Sequence, residues 1–232
     1  VQFEAAWRAG QWNLPTALTR AKGTSSAAAF NQSLHSALSA LDRNDVGCAV
    51  QETNRSRAHL LRNAIRGGAE SSDAMNITIM RMRMLDDVSD AAKLWRYFCA
   101  GGLANLEAAM QSLRDLWSSR NVDNAPFRLI EPSLALQGII LDLAGLDEQH
   151  TQLLTRTSIL ARKDGHTTEG VQAIRTIRMM AQRGSTAHDT QRPDLIISKT
   201  SPWRVEEAKL LWAQGKSESA IAIVNSIVRQ MK

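Results

Sequence analysis

Cysteine is nearly absent. Cys48 and Cys99 stand far apart with no CxxC pairing. That excludes a disulfide framework and a cysteine-built zinc site, and it points to a reducing, intracellular compartment. Five prolines and one tyrosine argue against a β-sandwich and suit long helices. No run of about 18 apolar residues occurs, so no membrane-spanning helix is expected, and no signal-peptide pattern is seen. GxxxxGK[ST], GxGxxG and GxSxG are missing, as are a His-Arg-Asp loop and an Asp-Phe-Gly triplet. Phosphate cradles, nucleophile elbows and a kinase catalytic core are thereby excluded from the sequence in hand. His35, His59, His150, His166 and His188 never fall at metal-ligand spacing with one another or with a cysteine, so neither a metal nor a cofactor is expected here.

What remains is a helix-forming chain. Its 232 residues are 44% hydrophobic, enough for a packed core, and alanine and leucine are abundant. The net charge is +5. The densest basic runs, Arg55–Arg66 and Arg81–Arg83, read as solvated helix faces, not as a clustered nucleic-acid track. The sequence opens without methionine inside a helical pattern and stops inside another, as a piece of a longer protein would.

Apolar residues recur at three- and four-residue steps along almost the whole length. Phe3, Ala6 and Trp7 form one short stripe, ended by Gly10. Phe30, Leu34, Ala37, Leu38 and Leu41 form the next, followed by a turn at Asp42–Asp45 and a helix that opens at Val46 and closes with Ala64 and Ile65 before Gly67-Gly68. Asp73 is a candidate cap for a helix of about seven turns running through Met80, Met84, Val88 and Trp95, with a break expected near Asp86-Asp87. A further stripe runs from Leu103 to Trp117. Glu131-Pro132 reads as a helix start, and Leu134–Leu143, apolar on nearly all sides, as the most buried helix. Asp147 and Thr167 are candidate caps for two more. Residues 183–201 read as one exposed loop. The closing stretch reads as a hairpin: Pro202 in the first helical position, Val205, Ala208, Leu211 and Trp212 on one face, Gly215 as the stop, then a stripe of Ala220, Ile221, Val224, Ile227 and Val228. No segment alternates convincingly, so no strand is expected.

Three turns share a spacing: Ala37, Asn44, Ala49-Val50; Ser158, Gly165, Gly170-Val171; Ala208, Gly215, Ala220-Ile221. Small residues let paired helices approach, and Asn44, Gly165 and Gly215 tolerate the left-handed conformation that ends a helix. The fold expected is therefore all-α: an α-solenoid of degenerate tetratricopeptide/HEAT-like antiparallel hairpins, with residues 1–232 as a single helical-repeat segment. Trp7, Trp12, Trp203 and Trp212 are assigned as packing anchors. Glu206-Glu207 invites an acid/base reading, but beside a helix N-terminus two carboxylates are explained by the dipole. No catalytic residue is assigned.

FEAAWRAGQWN (3–13), EPSLALQGIILDL (131–143), TSILARK (157–163) and WRVEEAKLLWAQGKSESAIAIVNSIV (203–228) resemble, in order and approximate separation, the FAT domain of the ATM branch of phosphatidylinositol-3-kinase-related protein kinases. The likeness is weak from about Ala69 to Ala125, and Asn13 stands where an acidic residue is expected. The resemblance implies a non-catalytic regulatory solenoid that braces a C-terminal serine/threonine kinase domain and contributes to homodimer contacts. It implies a nuclear parent acting at the DNA-damage checkpoint and, in fungal Tel-like members, in telomere maintenance. The parent kinase would use ATP and Mg. The implied partners are the kinase domain and neighbouring solenoid of the same chain and a second protomer, with no direct nucleic-acid or membrane contact. The competing readings are a free-standing helical-repeat scaffold that binds peptides in a concave groove, and a nucleic-acid-binding solenoid.

Overall fold

The computed structural model describes residues 2–14, 26–67, 72–99, 103–120, 125–186 and 202–230. Among them are ten α-helices and no strand. These are α1 (Gln2–Arg8), α2 (Ser26–Asp42), α3 (Val46–Gly67), α4 (Ser72–Cys99), α5 (Leu103–Arg120), α6 (Phe127–Leu143), α7 (Asp147–Lys163), α8 (Thr167–Thr186), α9 (Pro202–Ala213) and α10 (Ser217–Gln230). The fold is all-α, of the antiparallel-hairpin type used by α-solenoids. It divides into two compact units, Val1–Gly145 and Leu146–Lys232, where the sequence reads as one segment. Of the loop expected at 183–201, residues 183–186 continue α8 and 187–201 lie outside the described residues. The sequence also reads as a loop at Lys22–Ser26 and a polar connection at Arg120–Ala125, and extends the last apolar stripe to Met231; residues 22–25, 121–124 and 231 likewise lie outside the described residues.

Helix-to-helix closure is the recurrent local device. Asn44, Gly165 and Gly215 have φ of +59°, +82° and +76°. At each, the residue's own N–H and the next one donate back into the finished helix. Asn44 and Asp45 bond Leu41 O and Ala40 O at 2.9 and 2.8 Å; Gly215 and Lys216 bond Trp212 O and Leu211 O, both at 2.9 Å. Gly165 and His166 repeat the pattern on Arg162 O and Ala161 O. This paired closure satisfies carbonyls that a helix end would otherwise strand. Asn44 does more than a glycine could, because its Oδ1 accepts from Trp95 Nε1 at 3.0 Å, tying the α2–α3 turn to α4.

The small residues flanking these turns are where the helices meet. Ala37, Ser158 and Ala208 are buried, as are Ala49, Gly170 and Ala220 opposite them. A Cβ on Gly170 would stand 3.0 Å from Leu210 Cδ2 and 3.4 Å from the Ser158 carbonyl oxygen. Their apolar neighbours behave otherwise: Val171 and Ile221 are exposed and Val50 is half-buried, so the small member of each pair is the one that faces fully inward.

The first unit is built on α4, which packs against α2, α3, α5 and α6, while α6 also returns onto α1 and α2. Leu34, Leu38, Leu41, Leu85, Val88, Leu136 and Ile140 form its buried centre. No break occurs at Asp86-Asp87: α4 runs 28 residues, about 42 Å. α6 starts at Phe127, not at Glu131-Pro132, and Pro132 lies inside it, leaving the Arg128 carbonyl without its usual helical donor. In the second unit α7, α8 and α10 all pack on α9, around Ile174, Ile177, Trp203 and Leu210, with Leu154 against them.

Candidate functional site

The chemically distinctive feature is a seam of paired charges through the second unit. Its origin is an unusual stripe on α9. Trp203, Glu206, Glu207 and Leu210 fall at i, i+3, i+4 and i+7, and all four are buried. This is the spacing of a core-facing helix with two carboxylates at its middle. The face expected from apolar residues is only partly inward: Ala208 is buried and Leu211 half-buried, but Val205 is exposed and Trp212 is 63% exposed. Trp212 is therefore not a packing anchor within this unit. Residue-type reasoning chose the apolar set because nothing local distinguishes a glutamate with a distant partner from a solvated one.

Those partners come from the two preceding helices. Glu206, 2% exposed, accepts from Arg162 Nε of α7 at 2.5 Å and from its Nη2 at 3.4 Å, with Lys209 Nζ at 3.6 Å. Glu207 is paired with Arg178 of α8. Burial pushes the Glu207 carboxyl up; the field of Arg178, the field of Arg204 and the Arg178 hydrogen bond pull it back only in part. Removing two carboxylates from water costs several kcal/mol each, so one arginine from each helix of the α7–α8 hairpin is the condition for burying this face. The arrangement fixes which way α9 is rotated and how far it slides. It offers no nucleophile with an adjacent base. Among the described residues no group of three histidine, cysteine or acidic side chains is placed to hold a metal.

The remaining expected anchors lie in the first unit or beside Glu207. Trp7 is buried and its Nε1 donates to Asn31 Oδ1 at 3.2 Å. Trp12 is half-buried, its ring tilted 50° at 5.6 Å from His35, whose Nε2 is 2.9 Å from the Gln11 carbonyl. Trp203 is buried under Arg204, which stands 5.9 Å from its ring centroid.

The first unit also carries polar ties that composition did not single out. Arg8 grips Glu131 of α6 in bidentate fashion at 2.6 and 3.0 Å. Burial of Arg8 opposes its charge, but the hydrogen bond and field of Glu131, with those of Glu4, more than offset this and raise its pKa. Asp87, 2% exposed, accepts from Ser133 Oγ at 3.1 Å and Gln137 Nε2 at 3.0 Å. The acidic pair that suggested a break in α4 is thus a pair of anchors, since Asp86 accepts from Arg57 at 2.6 Å. A signal was present in the sequence: Asp87 falls three residues after Met84 and four before Ala91, on the inward stripe of an otherwise strong helical pattern.

Comparison with known proteins agrees with this architecture. The family model of the FAT domain matches residues 1–232. The chain is 23% identical over 252 residues to the Serine/threonine-protein kinase ATM of Arabidopsis thaliana, an alignment covering 98% of this chain and 6% of that protein. It is 20% identical over 244 residues to the Serine-protein kinase ATM of Sus scrofa, covering 100% of this chain and 7% of that protein. It therefore spans only a small fraction of the curated relatives' length. With the family match running from the first residue to the last, the chain belongs to the FAT domain family.

Proposed function

We propose that this chain is a non-catalytic regulatory segment of an ATM-like serine/threonine protein kinase. It braces the kinase domain of its parent, contributes to dimer contacts, and acts in the nucleus in DNA-damage checkpoint signalling and telomere maintenance. The observation that carries this reading is the FAT family match over every residue, with both ATM kinases aligned along essentially the whole chain. The hairpin architecture supports it physically. Stacked hairpins joined by short closures deform as elastic units, so docking at one point can bias a domain at another. An apolar face of α10, formed by Ile221, Val224 and Val228 with Trp212 of α9 nearby in sequence, is exposed. In this reading the neighbouring solenoid of the parent covers it. The parent's ATP and Mg belong to its kinase domain.

The test is to loosen the segment inside the parent protein. Arg162→Glu places like charge against buried Glu206. The expected outcome is altered kinase activation with the KM for ATP unchanged, together with faster amide exchange in α9. Unchanged activation in a parent whose α9 amides have lost their protection overturns the bracing role.

A further inference from the structure

An open groove in the first unit has a composition that the regulatory reading does not use. Ile77, Met80 and Leu129 supply accessible apolar wall over a floor of buried Trp7 and Phe30, and Arg81, Arg128 and Glu4 supply charge. The volume is about 150 Å³, below the roughly 300–1,000 Å³ of small-molecule sites. It holds one bulky side chain, not a cofactor.

Charge is unevenly matched in this groove. Glu4 is already engaged: it accepts from Arg8 Nε at 3.2 Å and lies 3.5 Å from Asn31 Nδ2. Arg81 has its guanidinium 5.3 Å from the Phe30 ring centroid. Among the described residues it has no hydrogen-bonded carboxylate. Burial lowers the pKa of Arg81, with only the field of Glu4 acting against it. A half-buried guanidinium resting on an aromatic face, its fork unfilled, is organised to receive a planar anion bidentately. Arg128 on the same groove adds positive potential.

We propose that this groove binds an acidic peptide segment of a partner protein, with one bulky apolar side chain against Ile77, Met80 and Leu129 and an adjacent carboxylate on Arg81. The apolar wall supplies the anchor and the arginine supplies selection, as in other peptide sites where a small pocket and a charge are read together. The inference stands on the groove itself and is independent of the kinase reading.

The probe is a blocked tripeptide with phenylalanine between two glutamates, compared with the same peptide carrying glutamines. Binding is followed by NMR at the Trp7 indole N–H of the protein. The acidic peptide is expected to bind about tenfold more tightly than its neutral counterpart, as a charge-assisted bidentate contact requires. Arg81→Met, which keeps the apolar stem, is expected to abolish that difference while leaving the weak neutral binding. Equal affinities of the two peptides for the unmodified protein, or no binding of either, overturn the proposal without recourse to a variant. A preference that survives Arg81→Met in a folded protein overturns the assignment of the arginine.

Discussion

The two units solve the same packing problem with different materials. In the first, α4 is surrounded by four helices about a leucine-rich centre, with the Arg57–Asp86 pair at its margin and buried Asp87 accepting from Ser133 and Gln137 of α6. In the second, the central helix α9 is shorter and presents two glutamates to its neighbours in the middle of its buried stripe. The apolar unit has orientation fixed chiefly by shape, because close-packed side chains admit few alternatives. The charged unit has orientation fixed by pairing, because any rotation of α9 strands a buried carboxylate. The contrast between Arg162–Glu206, with side chains 24% and 2% exposed, and Arg57–Asp86, 28% and 42% exposed, shows the point in single pairs. Both are short and arginine-based, yet only the first has a partner with no access to water.

Substitutions can break this contrast, and their expected effects fall in order. Glu206→Gln leaves Arg162 facing a neutral group in the interior of the second unit. A loss of about 3 kcal/mol is expected, read as destabilisation of α9 by hydrogen exchange while the first-unit helices stay protected. Asp87→Ala strands the hydrogen-bond donors of Ser133 and Gln137 between α4 and α6, an expected loss of about 2 kcal/mol, read in the exchange of α4 and α6. Gly215→Val forces a branched side chain into φ of +76°. It should lower stability by roughly 1–2 kcal/mol, measured by denaturant titration; no Cβ clash contributes, because nothing lies within 4 Å of that position.

Glu207→Gln sharpens the comparison from the other side. Its pKa is raised in the folded chain, so the folded state holds this proton to higher pH than the unfolded state does. The group's contribution therefore grows as pH falls through the folded pKa, and is unfavourable above it. Glutamine mimics the protonated form, and Arg178 remains 54% exposed and solvated. At neutral pH the variant should lie within about 1 kcal/mol of the parent. Melting curves from neutral to acidic pH should then show the native chain gaining relative to the variant.

Much of the fold was legible beforehand, for physical reasons. Helix ends at Gly10, Asn44, Gly165 and Gly215 were readable because few residue types tolerate positive φ. The stripes of α2 and α4 were readable because apolar residues recur at three- and four-residue steps along one face. The buried face of α9 was not, since its stripe is half carboxylate and the compensating arginines lie 44 and 29 residues away by number, Arg162 from Glu206 and Arg178 from Glu207. Trp212 misled for the same reason: a tryptophan beside a buried face is indistinguishable by type from one on it. Pro132 misled because proline in a first turn is the commoner pattern, whereas here it lies deeper in α6. The groove around Arg81 was hidden altogether, because Trp7, Phe30, Arg81 and Leu129 come from four separate helices.

The central claim is that buried pairing orients α9 in the second unit, whereas the comparable pair in the first contributes little. Double-mutant cycles on both pairs test it most directly, using Arg162→Met with Glu206→Leu and Arg57→Met with Asp86→Ala. The expected coupling is about 2 kcal/mol or more for Arg162–Glu206 and under about 1 kcal/mol for Arg57–Asp86. Equal couplings, or one near zero for Arg162–Glu206, would contradict the account.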